Sequence, residues 1–240
     1  MMKTLESQIC FESKPVRYIP PLCFKSLTPI FDAFLKVSSK ESAFKPKLVE
    51  QARIQKDFRV LDLGCGTATL TILAKKMHPS AEVIGIDIDP SVLEIAKKKA
   101  GKANVQIKFD LGPAFMLPYP DDYFDRVLSS LVFHHLTREN KIRTLKEVQR
   151  VLKPNGELHI ADLGKPQNIV MELPSAIMRR LEESEDNVRG LLPCMLKIAG
   201  FRRVEEADKI MTVFGTVALY KGQKPSSTSS AKSETWDNAR

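Results

Sequence analysis

The sequence predicts an α/β fold, a mostly parallel sheet with helices on both faces, and three observations carry that reading. A strand-like run enters a glycine turn and leaves it as a helix. Short apolar runs then alternate with helical periods, and an aspartate closes the second of those runs. Alternating strands and helices of this kind bury a sheet between two helical layers.

The organising stretch is residues 60–69, VLDLGCGTAT. Val60, Leu61 and Leu63 run into Gly64-Cys65-Gly66, and Leu70, Ile72, Leu73 and Met77 follow at helical spacing. Glycines suit a turn whose backbone needs unusual dihedrals and where a Cβ would keep a ligand away. The turn is therefore a candidate nucleotide cradle.

Charge selects the nucleotide. A dinucleotide lays its pyrophosphate over such a turn and the helix N-terminus behind it, so a nearby carboxylate would repel it. Here Asp62 stands two residues before Gly64, and Thr69 occupies the place of the fingerprint's third glycine. S-adenosylmethionine, with a sulfonium, an ammonium and no phosphate, suits this turn better. Asp87 ends the apolar run 83–86, near the roughly 20-residue spacing that brings an acid to a ribose diol. Either adenosine cofactor wants that acid, so Asp62 is the discriminating residue.

VLDLGCGTATL, IGIDIDP, LPYPDDYFDRVLSSLVFHHL and EVQRVLKPNGELHIADLG, in that order, resemble successive motifs of the class I SAM-dependent methyltransferases, the group that includes the ubiquinone and menaquinone C-methyltransferases. The similarity is good over residues 58–162 and continues in a family-wide way to residue 220. It implies a Rossmann-like, seven-stranded, mostly parallel sheet with an antiparallel last strand. It also implies S-adenosyl-L-methionine as cofactor, with contacts at Asp62, Gly64, Cys65, Gly66, Asp87, Ile88, Asp110, Leu111, Ser129 and Ser130. These motifs are specific for fold and cofactor, and weakly so for the substrate. One departure stands out: where the family places an acid that meets the adenine amino group, this chain has Pro113, so the contact passes to Asp110 or to the backbone of Leu111 and Gly112.

Residues 1–20 read as an arm. Leu27, Ile30, Phe31, Phe34 and Leu35 recur at helical spacing after Pro20-Pro21, and with a second helix over residues 41–55 they make an N-terminal helical extension, residues 1–55, read as a lid. The S-adenosylmethionine-binding domain is expected over residues 56–221, and residues 222–240, serine-rich with few apolar side chains, as a disordered tail. Within the core, Asp89 and Pro90 start a helix that Gly101 ends. Strands are expected at residues 105–109, 124–130, 157–161, 203–207 and 211–220. Helices are expected over the stretch holding Ile142, Leu145 and Val148, over residues 168–182, and over residues 188–199 ahead of Gly200.

A chain of 240 residues with 43% hydrophobic content accommodates one such domain with additions. No apolar stretch approaches the ~20 residues needed to span a bilayer, and the acids near the N-terminus argue against a targeting peptide, so the cytoplasm is the expected location. Cys10, Cys23, Cys65 and Cys194 form no CxxC pair, which excludes a zinc knuckle or disulfide framework. The net charge of +8 is spread over helices and tails instead of gathered in a stripe, so nucleic acid is not the expected partner. Lys25, Lys36 and Lys40 leave room for peripheral membrane contact by the N-terminal helix, with Asp32 against it.

In parallel α/β sheets ligands lie beyond the carboxyl ends of the strands, so residues 129–135 should face the transferred methyl. His134 is the candidate base, since imidazole titrates near neutrality; the competing reading makes the His134-His135 pair a turn-closing structural element. No further His or Cys stands at metal-ligand spacing, so no metal is expected. Asp162 could orient a substrate, and Cys65 reads as a small residue with an alkylation-sensitive thiol. The absence of an Asn/Asp-Pro-Pro-aromatic tetrad and of Pro-Cys argues against amino-group and cytosine C5 targets. The expected function is methyl transfer to a small-molecule acceptor, with a quinone-type ring carbon as the alternative in that class. Outside it stand a non-catalytic SAM-binding protein and an NAD(P)-dependent oxidoreductase.

Overall fold

The structure, a computed structural model, describes residues 41–167, 183–212 and 215–226. In chain order these form α1 (Glu41–Gln51), β1 (Arg59–Leu63), α2 (Thr69–Met77), β2 (Glu82–Asp87), α3 (Pro90–Lys102), β3 (Lys108–Leu111) and β4 (Phe124–Ser130). A 3-10 turn (Phe133–His135), α4 (Arg138–Val151), β5 (Leu152–Leu163), α5 (Glu185–Val188), α6 (Leu192–Ile198), β6 (Arg202–Thr212) and β7 (Gly215–Gln223) complete them. The seven strands make one sheet in the order β3-β2-β1-β4-β5-β7-β6. All neighbours pair in parallel except β7, which is antiparallel to both β5 and β6. The expected Rossmann-like sheet with a reversed last strand is thus observed.

Period-two alternation sorts the strand side chains between two layers. Val60, Val83, Leu128 and Ala161 meet Phe44, Leu48, Val49 and Ala52 of α1 and Leu70 and Ala74 of α2. Leu61, Ile84, Val127 and Ile160 meet Leu145, Val148 and Val151 of α4 and Met195 and Leu196 of α6. Helix starts follow local chemistry: the Asp89 carboxylate accepts from the Ser91 amide at 2.8 Å with Pro90 at the first position, and Thr137 accepts from Asn140 at 3.3 Å. At the edge, β6 carries Arg202, Arg203, Glu205, Glu206, Asp208 and Lys209, charges that discourage a further strand from pairing there.

Several boundaries move. Helix α1 is a core element and not part of a lid: Phe44, Leu48 and Val49 are fully buried on the sheet, and it ends at Gln51, ahead of Arg53 in a left-handed conformation. The expected lid helix around residues 24–35 and the helix over 168–182 lie outside the described residues. Strand β3 begins three residues later than expected, at Lys108, and β5 runs from Leu152, taking in the Pro154-Asn155-Gly156 stretch through an irregularity in its pairing with β4. The expected helix over residues 188–199 is two pieces, because Gly190 is left-handed and Pro193 restarts the helix in its first turn. Met211 belongs to β6, since Thr212 donates its hydroxyl to the Gly215 carbonyl at 2.8 Å and closes a hairpin there. Gly222 and Gln223 extend β7 opposite Leu158 and Glu157, so order reaches past the expected start of the tail.

Candidate active site

Register brings the carboxyl ends of the strands to one rim: Leu63 pairs with Ile86 and Ser129, Asp87 with Leu111, and Ser130 with Ala161. All of the sequence-predicted cofactor residues stand on that rim or on the turns leaving it. The Asp87 carboxylate laces the rim together, accepting from the Gly66 amide at 2.8 Å and the Asp89 amide at 3.0 Å. The Cys65 amide donates to the Ile86 carbonyl at 2.9 Å. The two glycines do different work. Both have positive φ, +67° at Gly64 and +51° at Gly66. A Cβ on Gly64 would lie 2.5 Å from Val132 Cγ2, so Gly64 lets the loop after β4 pack down; a Cβ on Gly66 would meet nothing within 4 Å.

Asp62 is almost completely buried, on the α1 and α2 side of the sheet, and accepts a 2.6 Å hydrogen bond from the Thr71 hydroxyl. Burial pushes its carboxyl up to about 6, opposed by the Thr71 bond and by the Lys45 ammonium, with Asp87 adding to the rise. Thr71 was missed in the sequence, although a polar residue between Leu70 and Ile72 on a buried helix face is a readable signal. Cys65 is also buried, and burial with the Asp62 and Asp87 carboxylates pushes its thiol far above the ordinary range. That corrects the expected alkylation sensitivity, because the thiolate is the reactive form. Its sulfur packs where a Cβ on Gly85 would sit, 2.9 Å away, with Phe109 Cδ1 also at 2.9 Å. Gly85→Ala is therefore expected to destabilise by about 1 to 3 kcal/mol through overpacking, read from urea unfolding midpoints.

At the end of β3, Asp110 accepts from Tyr119 and Lys108, both at 2.9 Å to Oδ2. The Gly112 N–H donates to the Asp87 carbonyl at 2.9 Å, so that donor is already engaged within the rim. Ile88, Leu111 and Met116 are large apolar side chains exposed here and on the loop that follows. Ser129 is buried with its hydroxyl 3.5 Å from the Leu63 carbonyl, while the buried Ser130 hydroxyl has no hydrogen-bond partner among the described residues.

His134 lies on the 3-10 turn after β4 with Nδ1 2.7 Å from Asp162 Oδ1. Asp162 is fully buried, so it faces the histidine and backbone amides, and the expected substrate-orienting role is corrected to this one. The His135 ring centroid is 4.0 Å from that of His134, and burial, then His134, push His135 down to about 3 against the pull of Asp162. Among the described residues no three His, Cys, Asp or Glu side chains are grouped to hold a metal ion, and no helix is long and apolar enough to cross a membrane.

Seven strands in this order, one reversed, with a glycine turn at the carboxyl rim, define a Rossmann-like α/β protein. Residues 54–221 match the family described as methyltransferase domain, and the chain belongs to that family. It is 34% identical over 155 residues to a demethylmenaquinone methyltransferase of Lactobacillus johnsonii, covering 62% of this chain and 63% of that protein. A demethylmenaquinone methyltransferase of Thermus thermophilus is 28% identical over 225 residues, covering 84% of this chain and 100% of that protein. The chain thus spans only 63% and 59% of the length of the first two curated relatives. Among solved structures, the apo form of the S-adenosylmethionine-dependent methyltransferase SibL shares the fold, with a TM-score of 0.65 at 20% identity over 84% of this chain and 60% of that one.

Proposed function

We propose that the protein transfers a methyl group from S-adenosylmethionine to a small-molecule acceptor. The observation that carries this reading is Gly66: a left-handed glycine facing open space, tied to Asp87 on the rim of a methyltransferase-domain sheet. A cradle that a Cβ would fill fits a close-lying ligand, and the orphaned Ser130 hydroxyl adds an unsatisfied group at the same rim. Gly64, Cys65 and Gly66 would hold the cofactor's backbone-facing side, Asp87 its ribose, and Ile88, Leu111 and Asp110 its adenine end. Asp62 would act from beneath the turn as the negative charge nearest the cationic methionine end, and Ser129 and Ser130 would line the strand-four side. When bound, S-adenosylmethionine supplies an electrophilic methyl group on a sulfonium. The chain's own task is alignment and exclusion of water, which can be worth ~7 to 11 kcal/mol. His134 would take the acceptor's proton. A quinone-type ring acceptor is the second reading, supported by the demethylmenaquinone methyltransferases among the relatives.

The test is calorimetric titration with S-adenosylmethionine and, separately, reduced nicotinamide cofactor, followed by mass spectrometry of a metabolite extract incubated with methyl-labelled S-adenosylmethionine. Binding of the first ligand and a labelled small molecule are expected. Tight nicotinamide binding would favour an oxidoreductase, and binding without any labelled product a non-catalytic protein. Gly66→Ala is expected to fold, losing about 1 kcal/mol to its left-handed backbone, while weakening cofactor binding by on the order of tenfold or more. Unchanged affinity in that variant would remove the cradle.

A further inference from the structure

The loop that leaves β3 is built without polar side chains. From Leu111, the last residue of the strand, to Pro118 the chain reads LGPAFMLP, so Asp110 is the last polar side chain before Tyr119. Much of the loop's backbone is committed as well. The Gly112 N–H donates to the Asp87 carbonyl at 2.9 Å, and the Pro113 carbonyl accepts from Met116 at 3.2 Å. The Leu117 and Tyr119 carbonyls accept from Arg150 of α4 at 3.0 and 2.8 Å, and Glu147 of the same helix accepts from the Leu117 N–H at 2.8 Å. Both flanks of Pro118 are thereby fixed from α4.

Tyr119 turns that fixed backbone into a fixed side chain. Its ring is buried, edge-on to Phe124 with centroids 4.8 Å apart and parallel to Tyr123 at 6.1 Å. The phenol donates to Asp110 Oδ2 at 2.9 Å, and Lys108 Nζ donates to the same oxygen at 2.9 Å. Burial, followed by the bond to Asp110 and its charge, pushes the phenol far above its usual range, so it keeps the proton it donates. Both donors therefore sit on one oxygen. Oδ1 has no hydrogen-bond partner among the described residues, and the Asp110 side chain is 21% exposed. A carboxylate accepts through both oxygens, so Oδ1 stands ready for a donor from outside. Register sets Asp110 opposite Ile86 and Leu111 opposite Asp87, which places this carboxylate beside the ribose acid, and the exposed Ile88 and Leu111 offer apolar surface to a planar ring there.

The 6-amino group of an adenine is a donor, and where the family places an acid for that group this chain has Pro113. We propose that Asp110 Oδ1 accepts from the 6-amino group of the cofactor's adenine, and that Tyr119 is the positioning residue which, by holding Oδ2, aims it there. The pair makes the site selective for a 6-aminopurine. A 6-oxopurine would set its carbonyl oxygen against the carboxylate, acceptor facing acceptor, and a site built around one hydrogen bond rejects a ligand that cannot make it. The inference rests on the methyl-transfer reading, and it adds what discriminates the base and which residue sets that discrimination.

The test is binding and needs no turnover. The full chain is titrated calorimetrically with S-adenosylhomocysteine, the demethylated cofactor, and with S-inosylhomocysteine, which carries a carbonyl oxygen in place of the 6-amino group. The unaltered protein is expected to prefer the first by on the order of 10- to 100-fold, the range of a hydrogen bond to a charged group. Tyr119→Phe keeps the ring and releases Oδ2. The preference should then shrink about tenfold through weaker S-adenosylhomocysteine binding, with S-inosylhomocysteine affinity within about threefold of the unaltered value. In Asp110→Asn the amide oxygen stays with the Tyr119 and Lys108 donors, so its NH2 turns to the base and the preference should vanish or reverse. Equal affinities in the unaltered protein, or an unchanged preference in either variant, overturn the proposal. So does an equal loss for both ligands in Tyr119→Phe, the mark of a hydroxyl that only supports the fold. The unaltered protein and Tyr119→Phe decide the matter even where Asp110→Asn fails to fold. Binding of neither nucleoside defeats the methyl-transfer reading and this inference with it, whereas binding of both without discrimination defeats this inference alone.

Discussion

Asp186→Ala is expected to cost about 3 to 5 kcal/mol of stability, the loss typical of removing one partner from a buried ion pair. Asp186 takes a forked bond from Arg138 and lies 3.6 Å from the Lys141 ammonium. Lys141 has no exposed side-chain surface, and burial already pushes its ammonium below the usual range, with Asp186 the largest force holding it up. Removing that carboxylate leaves a buried cation hydrogen-bonded to the Glu183 carbonyl and held up only by the weaker pull of the Asp162 and Glu183 carboxylates. The measurement is the urea midpoint of Asp186→Ala against that of the double variant Lys141→Met with Asp186→Ala. Removing the charge as well should recover most of the loss. Equal losses in the two variants would mean that the stranded ammonium is not the cause.

Asp62→Asn is expected to raise stability at neutral pH while weakening S-adenosylmethionine binding. The folded protein's Asp62 carboxyl titrates at about 6, against 3.8 for an ordinary one. Between those values the folded protein holds a proton that the unfolded chain has released, so this group's contribution falls as pH rises from about 4 to about 6 and stays lower above. Asparagine carries no such penalty and can still accept from Thr71. The variant should therefore match the unaltered protein below pH 4 and exceed it by up to about 3 kcal/mol above pH 7. Thermal melts from pH 4 to 8 read the first effect and calorimetry the second. Parallel melting curves across that range would remove the burial argument, and undiminished affinity would remove Asp62 from the cofactor site.

Much of the fold was legible because its signals are local. Val60-Leu61 and Val83-Ile84 alternate with the period of a strand buried on both faces, and Asp89-Pro90 is a helix start that needs no tertiary partner. The glycine turn was legible for the same reason, since left-handed backbone confines the choice of residue. Errors fall where a distant group decides. Gly190 breaks a helix whose apolar pattern continues through it, and the Thr212 to Gly215 bond sets a hairpin that strand propensity alone extends past. Asp162 read as a substrate-orienting acid because the histidine and amides it serves are up to thirty residues away in sequence.

The linear chain, then, determined the alternation of strand and helix, the position of the glycine turn and the acids that close β1 and β2, since each depends on periodicity or on backbone conformation within a few residues. Only the tertiary structure decided that Asp62 is buried against Thr71, that Gly66 opens to space while Gly64 does not, and that Asp162 holds His134. Those outcomes depend on which groups long-range packing brings within about 3 Å, the reach over which a hydrogen bond forms, and spacing along a sequence does not encode that distance.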